Sequence, residues 1–310
     1  MTNTVKIPVL PELSDIDFKT SADVSRLVKE RSRSLYGSRK DGYIDTFMET
    51  IEGLFEGRNP VFLPMDTAYH NIEHTLQATL CLSELMMNRQ QAPVLPRISF
   101  RDYKRAIVAV LFHDIGYLKR ADDAGGTGAK YTHVHEQRSC QFAREFLGRH
   151  GWPADDIVFV ENLISSTGPT TDLTRIEYRS EVERTLGQAV CTADYIGQMS
   201  DPDYPDKLKV LFSEFEESYR YQGIPKNKWP FVDYEALLRS TPDFWNKFVQ
   251  YKMNVECAGI WEYLENPVTG GNVYIDAVER NMSIINDRIE QLDEPKPART
   301  ETRLSASQRS

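Results

Sequence analysis

Apolar residues recur every three to four positions along most of this chain, the spacing that lines one face of an α-helix. The pattern runs through SADVSRLVKERSRSLYG at 21–37, YIDTFMETIEGLFEG at 43–57 and HTLQATLCLSELMMN at 74–88. It continues in YKRAIVAVLFHDIGY at 103–117 and in VYIDAVERNMSIINDRIEQL at 273–292. Strand-like alternation is scarce, so the sequence predicts an all-α fold. Ser, Thr or Asp precedes several of the periodic segments as an N-cap, and Gly148, Gly151 and Pro153 mark helix ends. Two stretches of small polar residues read as loops, KRADDAGGTGAKYTH at 119–133 and SSTGPTTDLTRI at 165–176. Loops carry function more often than their share of a chain suggests.

Composition narrows the class. A chain of 310 residues with 40% hydrophobic and 27% charged content is ordinary for a globular protein. No apolar run approaches the roughly 18 to 20 residues of a membrane span. The start, MTNTVKIPVLPELSDIDFK, lacks the basic and apolar parts of a signal peptide, so a cytoplasmic location with no membrane partner is expected. Cys81, Cys140, Cys191 and Cys257 have neither paired nor metal-ligand spacing and read as reduced, buried residues. A net charge of −9 argues against general nucleic-acid binding while leaving room for one small phosphorylated ligand.

The expected organisation is an N-terminal arm with helices at 1–60, a core at 61–200 and further helices at 201–293 packed on that core. A polar, Pro-containing tail at 294–310 is expected to be disordered.

Chemistry enters where this pattern is broken. Seven consecutive apolar residues, 106–112, run directly into His113 and Asp114. Burying a carboxylate and an imidazole there is costly unless a partner or metal compensates, although both side chains could instead reach solvent past the helix end. In LGQAVCTADYIGQM, Leu186, Val190 and Asp194 share one stripe, so Asp194 replaces an apolar residue on a core-facing side. A buried cap or helix-pairing acid is the ordinary alternative. His135 begins a helix whose apolar positions are Phe142, Phe146 and Leu147, with His133 just ahead of it. His150 reads as a helix-end residue. In YHNIEH, His70 and His74 lie four apart on one helical face, a spacing that by itself fits a metal site or a polar helix start. The zincin signature HExxH is excluded, because Asn71 follows His70. Nitrogen and carboxylate ligands together suit zinc, iron, manganese or cobalt.

The ordered set His74, His113-Asp114 and Asp194 resembles the HD-domain superfamily of metal-dependent phosphohydrolases over roughly residues 65–200. YHNIEH also looks like the opening motif of the cyclic nucleotide phosphodiesterases, which share that helical core. The resemblance implies that His74, His113, Asp114 and Asp194 hold a first metal ion and that Asp114 bridges to a second, where magnesium is also suited. It implies that His135 binds the second ion and that His70 donates a proton to the leaving oxygen, with Asp114 and His70 the catalytic pair. Relatives with two ions usually supply a further histidine near LISSTGP, which this chain lacks. Asn71 and Glu73 would orient the imidazoles, and Asn71 is also a candidate substrate contact. By position, Lys119 and Arg120 after the His113-Asp114 turn and Lys130 at the end of the Gly-rich loop are candidate phosphate contacts, with solvated loop charges as the ordinary alternative, and Ser165, Ser166 and Thr167 are candidates to face the same cleft.

The expected function is hydrolysis of a phosphoester or phosphodiester of a nucleotide-like molecule, a cyclic nucleotide included. The alternatives are an HD-type di-iron oxygenase and a metal-retaining sensor or binding module without turnover. A homodimer is compatible with this sequence.

Overall fold

The computed structural model describes residues 9–37, 41–123 and 125–294. Within them lie α1 (Ser21–Tyr36), α2 (Gly42–Phe55), α3 (Ile72–Gln91), α4 (Phe100–Phe112) and α5 (His135–Arg149). They are followed by α6 (Ala154–Ser165), α7 (Glu181–Met199), α8 (Tyr204–Tyr221), α9 (Tyr234–Asp243) and α10 (Val273–Asp293). The described residues contain no strand beyond an isolated antiparallel bridge between Phe62 and Arg120. The first eight residues of the expected arm and the expected tail from 295 onward lie outside the described residues. From residue 9 the chain lies against the core through buried Leu10, Leu13 and Ile16.

Two helices form the centre. From His74 to Gln90 every residue of α3 is buried, so the helix has no solvent face. It packs along α7, and the two backbones come close where Gly197 meets Ala78: a Cβ on Gly197 would lie 3.0 Å from both the Cα and the amide nitrogen of Ala78. α4 and α6 pack beside α7, while α1 covers α3 from another side. There Arg31 and Glu84, both buried, pair at 2.5 Å (Nε to Oε2). Each charge compensates the other, and removing either would strand its partner away from water.

Side-chain caps fix several helix starts. Ser99, Ser180 and Asp233 accept from the amides of Asp102, Glu183 and Ala236, and Asn71 and Asn272 do the same for α3 and α10. The segment 241–264, which reads as helical in sequence, is irregular. Pro242 has no amide hydrogen to give, and past it the chain continues as π-helical turns at Phe244–Val249 and Lys252–Glu256. Ala258 and Gly259 then take positive φ and end the run.

Candidate metal centre

Three helices bring the candidate ligands together. The Asn71 side chain accepts from the His74 amide at 3.2 Å, so His74 is fixed in the first turn of α3. Residues 106–112 of α4 are buried without exception, and they carry His113 and Asp114 to its inner end. Asp194 shares its face of α7 with the buried residues Leu186 and Val190.

The donor atoms converge. His74 Nε2 stands 3.1 Å from His113 Nε2, from Asp114 Oδ2 and from Asp194 Oδ1. His113 Nε2 lies 3.2 Å from Asp114 Oδ2 and 3.4 Å from Asp194 Oδ1. Bonds of about 2.0–2.2 Å to one ion place neighbouring donors roughly 3.0–3.5 Å apart, so this set fits a cation. His74, His113 and Asp114 form a group able to hold a metal ion, and Asp114 Oδ2 has no hydrogen-bond partner among the described residues. His113 Nδ1 lies 2.7 Å from the Val110 carbonyl, to which it donates, and that fixes the tautomer with Nε2 turned to the cluster.

Charge tells the same story. Burial opposes ionisation of Asp194, but the neighbouring imidazoles outweigh it and hold its carboxyl down at about 2. Asp114 is likewise held well below the carboxylate range by His113 and His74 against the effect of burial. Burial also opposes charge on His74, yet the Asp114 and Asp194 carboxylates beside it raise it to about 9. Two ionised carboxylates in a buried place demand positive charge. Imidazole protons supply it in the protein alone, and a divalent ion can supply it with neutral imidazoles.

His135 sits on the far side of Asp114. Its Nδ1 is 2.7 Å from the Thr132 carbonyl, and its Nε2 is 3.5 Å from Asp114 Oδ1, so Asp114 turns one oxygen to each histidine group. His70 is outside the cluster of ligand atoms. Its Nδ1 lies 2.6 Å from Glu214 Oε2 on α8, and Glu214 Oε1 accepts from the Tyr69 amide at 2.6 Å. Tyr117 packs against both outer histidines, stacked on His70 at 4.5 Å and on His135 at 4.6 Å, while the two imidazoles lie 6.2 Å from each other.

The turn that carries these groups is held by short contacts. Ser139 Oγ donates to the His113 carbonyl at 2.5 Å and accepts from the Gly116 amide at 2.8 Å. Arg138 donates to the carbonyls of Gly116 and Leu118 at 2.6 and 2.7 Å. Gly116 is packed so tightly that a Cβ there would fall 1.9 Å from the His135 carbonyl oxygen.

A cavity of about 190 Å³ opens beside the cluster, lined by His70, His74, Asp114, His135 and Asp194 and walled by residues of α8, α9 and Phe244. Of the residues expected to meet substrate, Thr167 lines it, and its hydroxyl donates to the Ile164 carbonyl. The others are engaged elsewhere. Asn71 caps α3 and also donates to the Ala68 carbonyl, while Glu73 pairs with Lys207 at 2.7 Å. Lys119 is buried against Asp66 at 2.7 Å, Lys130 pairs with Asp123, and Arg120 is exposed in the Phe62 bridge. Ser166 is buried between the Asn162 carbonyl and the Tyr178 hydroxyl, and Ser165 contacts Cys140 Sγ at 3.5 Å. His133 faces Tyr221, and His150 stacks on Phe146.

Glu214, Tyr117 and Gln198 were not singled out from sequence. Glu214 did leave a signal. It falls on the stripe of Leu208, Leu211, Phe215 and Ser218, an acid on an otherwise inward face, just as Asp194 does.

A family model described as Npun_R2479-like matches residues 21–286 of the chain. No curated protein matches it. Among solved structures, the crystal structure of the phosphodiesterase domain of the RhoPDE fusion protein from the choanoflagellate Salpingoeca rosetta is similar, with a TM-score of 0.55 and 16% identity. The likeness spans 91% of this chain and 95% of that one. The fold is thus an all-α, phosphodiesterase-like helical bundle.

Proposed function

We propose that this chain, which belongs to the Npun_R2479-like family, is a metal-dependent phosphohydrolase that cleaves a phosphoester or phosphodiester of a small molecule, with cyclic nucleotides in the range tested first. The observation that carries the reading is a single cavity lined both by the converging His74, Asp114 and Asp194 and by an imidazole, His70, held apart from them by Glu214. The fold shared with a phosphodiesterase domain supports it.

His74, His113, Asp114 and Asp194 would hold one ion, and Asp114 Oδ1 with His135 would contribute to a second. A divalent ion of zinc, manganese, iron or cobalt supplies Lewis acidity toward water and phosphoryl oxygen when bound. A carboxylate can only accept, so Glu214 keeps a proton on His70 Nδ1 and fixes the ring. His70 then serves the leaving group through its other nitrogen. Water oxygen bonds to phosphorus, the ester P–O bond breaks, and the departing oxygen takes a proton from His70. The proton lost by the water restores the imidazole. The di-iron alternative has less support, because the loop from 165 brings Thr167 and no histidine to the cavity.

The test is His70→Ala in metal-loaded protein. The variant is expected to keep its metal and to lose turnover of a cyclic nucleotide by a factor of about 10² to 10⁴. A nitrophenyl phosphodiester, whose leaving group departs without a proton, should lose much less. Loss of metal in the variant would make His70 a ligand, and absence of turnover of both substrates by the wild type would end the hydrolase reading.

A further inference from the structure

The walls of the cavity carry information about the organic part of the substrate. Leu208, Leu211 and Phe215 of α8, Phe231, Leu237 of α9 and Phe244 form one side of it. No Lys or Arg lines it among the described residues. The lysines that follow the His113-Asp114 turn are spent on Asp66 and Asp123.

Several polar groups in the lining are also committed. Gln198 accepts from the Tyr69 hydroxyl at 2.9 Å and donates to the Asp194 carbonyl at 3.2 Å, so both ends of its amide are engaged. The hydroxyls of Thr132, Ser240 and Thr241 donate to main-chain carbonyls of their own segments. Two buried phenols, Tyr117 and Tyr195, have no partner among the described residues. Phe244, 38% exposed, carries the apolar wall outward, where it stacks on Phe248 at 5.2 Å.

Resting on the phosphohydrolase reading, we infer that this centre selects esters in which a single anionic phosphoryl group is joined to an uncharged, apolar alcohol, and that it discriminates against polyphosphates. The ligands of the centre meet the phosphoryl group, and the wall of α8, α9 and Phe244 meets the esterified group. A second or third phosphate would have to leave water beside leucine and phenylalanine with no cationic side chain to pair with it, and burying an unpaired charge is costly. An aromatic or aliphatic alcohol gains from the same surface by removal of apolar area from water.

The experiment reads binding, so that it does not depend on turnover. Zinc- or manganese-loaded protein is titrated calorimetrically with phenyl methylphosphonate, a singly charged ester mimic, and with inorganic tripolyphosphate. The aryl phosphonate should bind at least about tenfold more tightly, a difference of about 1.4 kcal/mol. Phe244→Lys, at a part-exposed position outside the ligand set, should narrow or reverse that ratio by placing a cation in the wall. Equal or tighter binding of tripolyphosphate to the wild type, or an unchanged ratio in Phe244→Lys, would overturn the inference. Selective binding of the phosphonate by a protein that hydrolyses no phosphoester would support the inference and remove the catalytic reading alone.

Discussion

Glu214 reaches across 144 residues of sequence to hold the ring of His70, with 2.6 Å between Oε2 and Nδ1. Its other oxygen takes the amide next door, on Tyr69, so one carboxylate fixes both the imidazole and the chain that carries it. Glu214→Gln is expected to lower kcat about 10- to 100-fold with metal content unchanged, the range typical of partners that orient a working imidazole. Paired measurements of kcat and bound metal decide it. A loss of metal equal to the loss of rate would show that Glu214 supports the fold of the centre and not the imidazole proposed to donate a proton.

Asp114 faces the His74 and His113 nitrogens with one oxygen and His135 with the other. Asp114→Ala should therefore abolish metal binding, while His135→Ala should keep close to one ion per chain. Elemental analysis of the two purified variants is the check, and equal loss in both would refute a two-tier arrangement.

Gly116 leaves no room for a methyl group beneath the His135 carbonyl. Gly116→Ala should destabilise the fold by about 1–3 kcal/mol or more, because the clash is with backbone and no flexible side chain can give way. It should also cost metal affinity, since the displaced turn carries His113 and Asp114. Thermal unfolding and metal titration of the same sample would test both, and a wild-type melting temperature would contradict the packing described.

In the metal-free protein His74 titrates at about 9, above the 6.5 of a free imidazole. The sign follows: its charge stabilises the metal-free fold fully below about pH 6.5, and that contribution is lost as pH rises through 9. An ion needs the neutral ring and must displace the proton. Metal affinity is thus expected to climb between pH 6.5 and 9, by about tenfold per pH unit for each proton released. Titrations in buffers of different ionisation enthalpy count those protons. An affinity independent of pH over this window would exclude His74 as a ligand.

Sequence revealed the parts of the site that break a local pattern. His113 and Asp114 end a seven-residue apolar run, and Asp194 interrupts a buried stripe, so each is anomalous within its own helix. The all-α class was legible for the same reason, since periodicity is a local property. Pairings over long separations were not. Nothing near Lys119 announces that Asp66 will neutralise it, and nothing near His70 points to Glu214. The irregular chain after Pro242 was hidden as well, because its apolar spacing still reads as an ordinary helix.

Ser139 and Arg138 bond directly to the chain at 113–118, so the start of α5 is joined to the end of α4 without relying on the segment between them. That shortcut separates inheritance from invention. Substitutions at exposed Ala121 and Asp122, on the bypassed loop, should leave His113, Asp114 and His135 at their mutual spacing, whereas Asp123 is tied to buried Lys130. New surface specificities could be grafted there without renegotiating the geometry of the centre beneath.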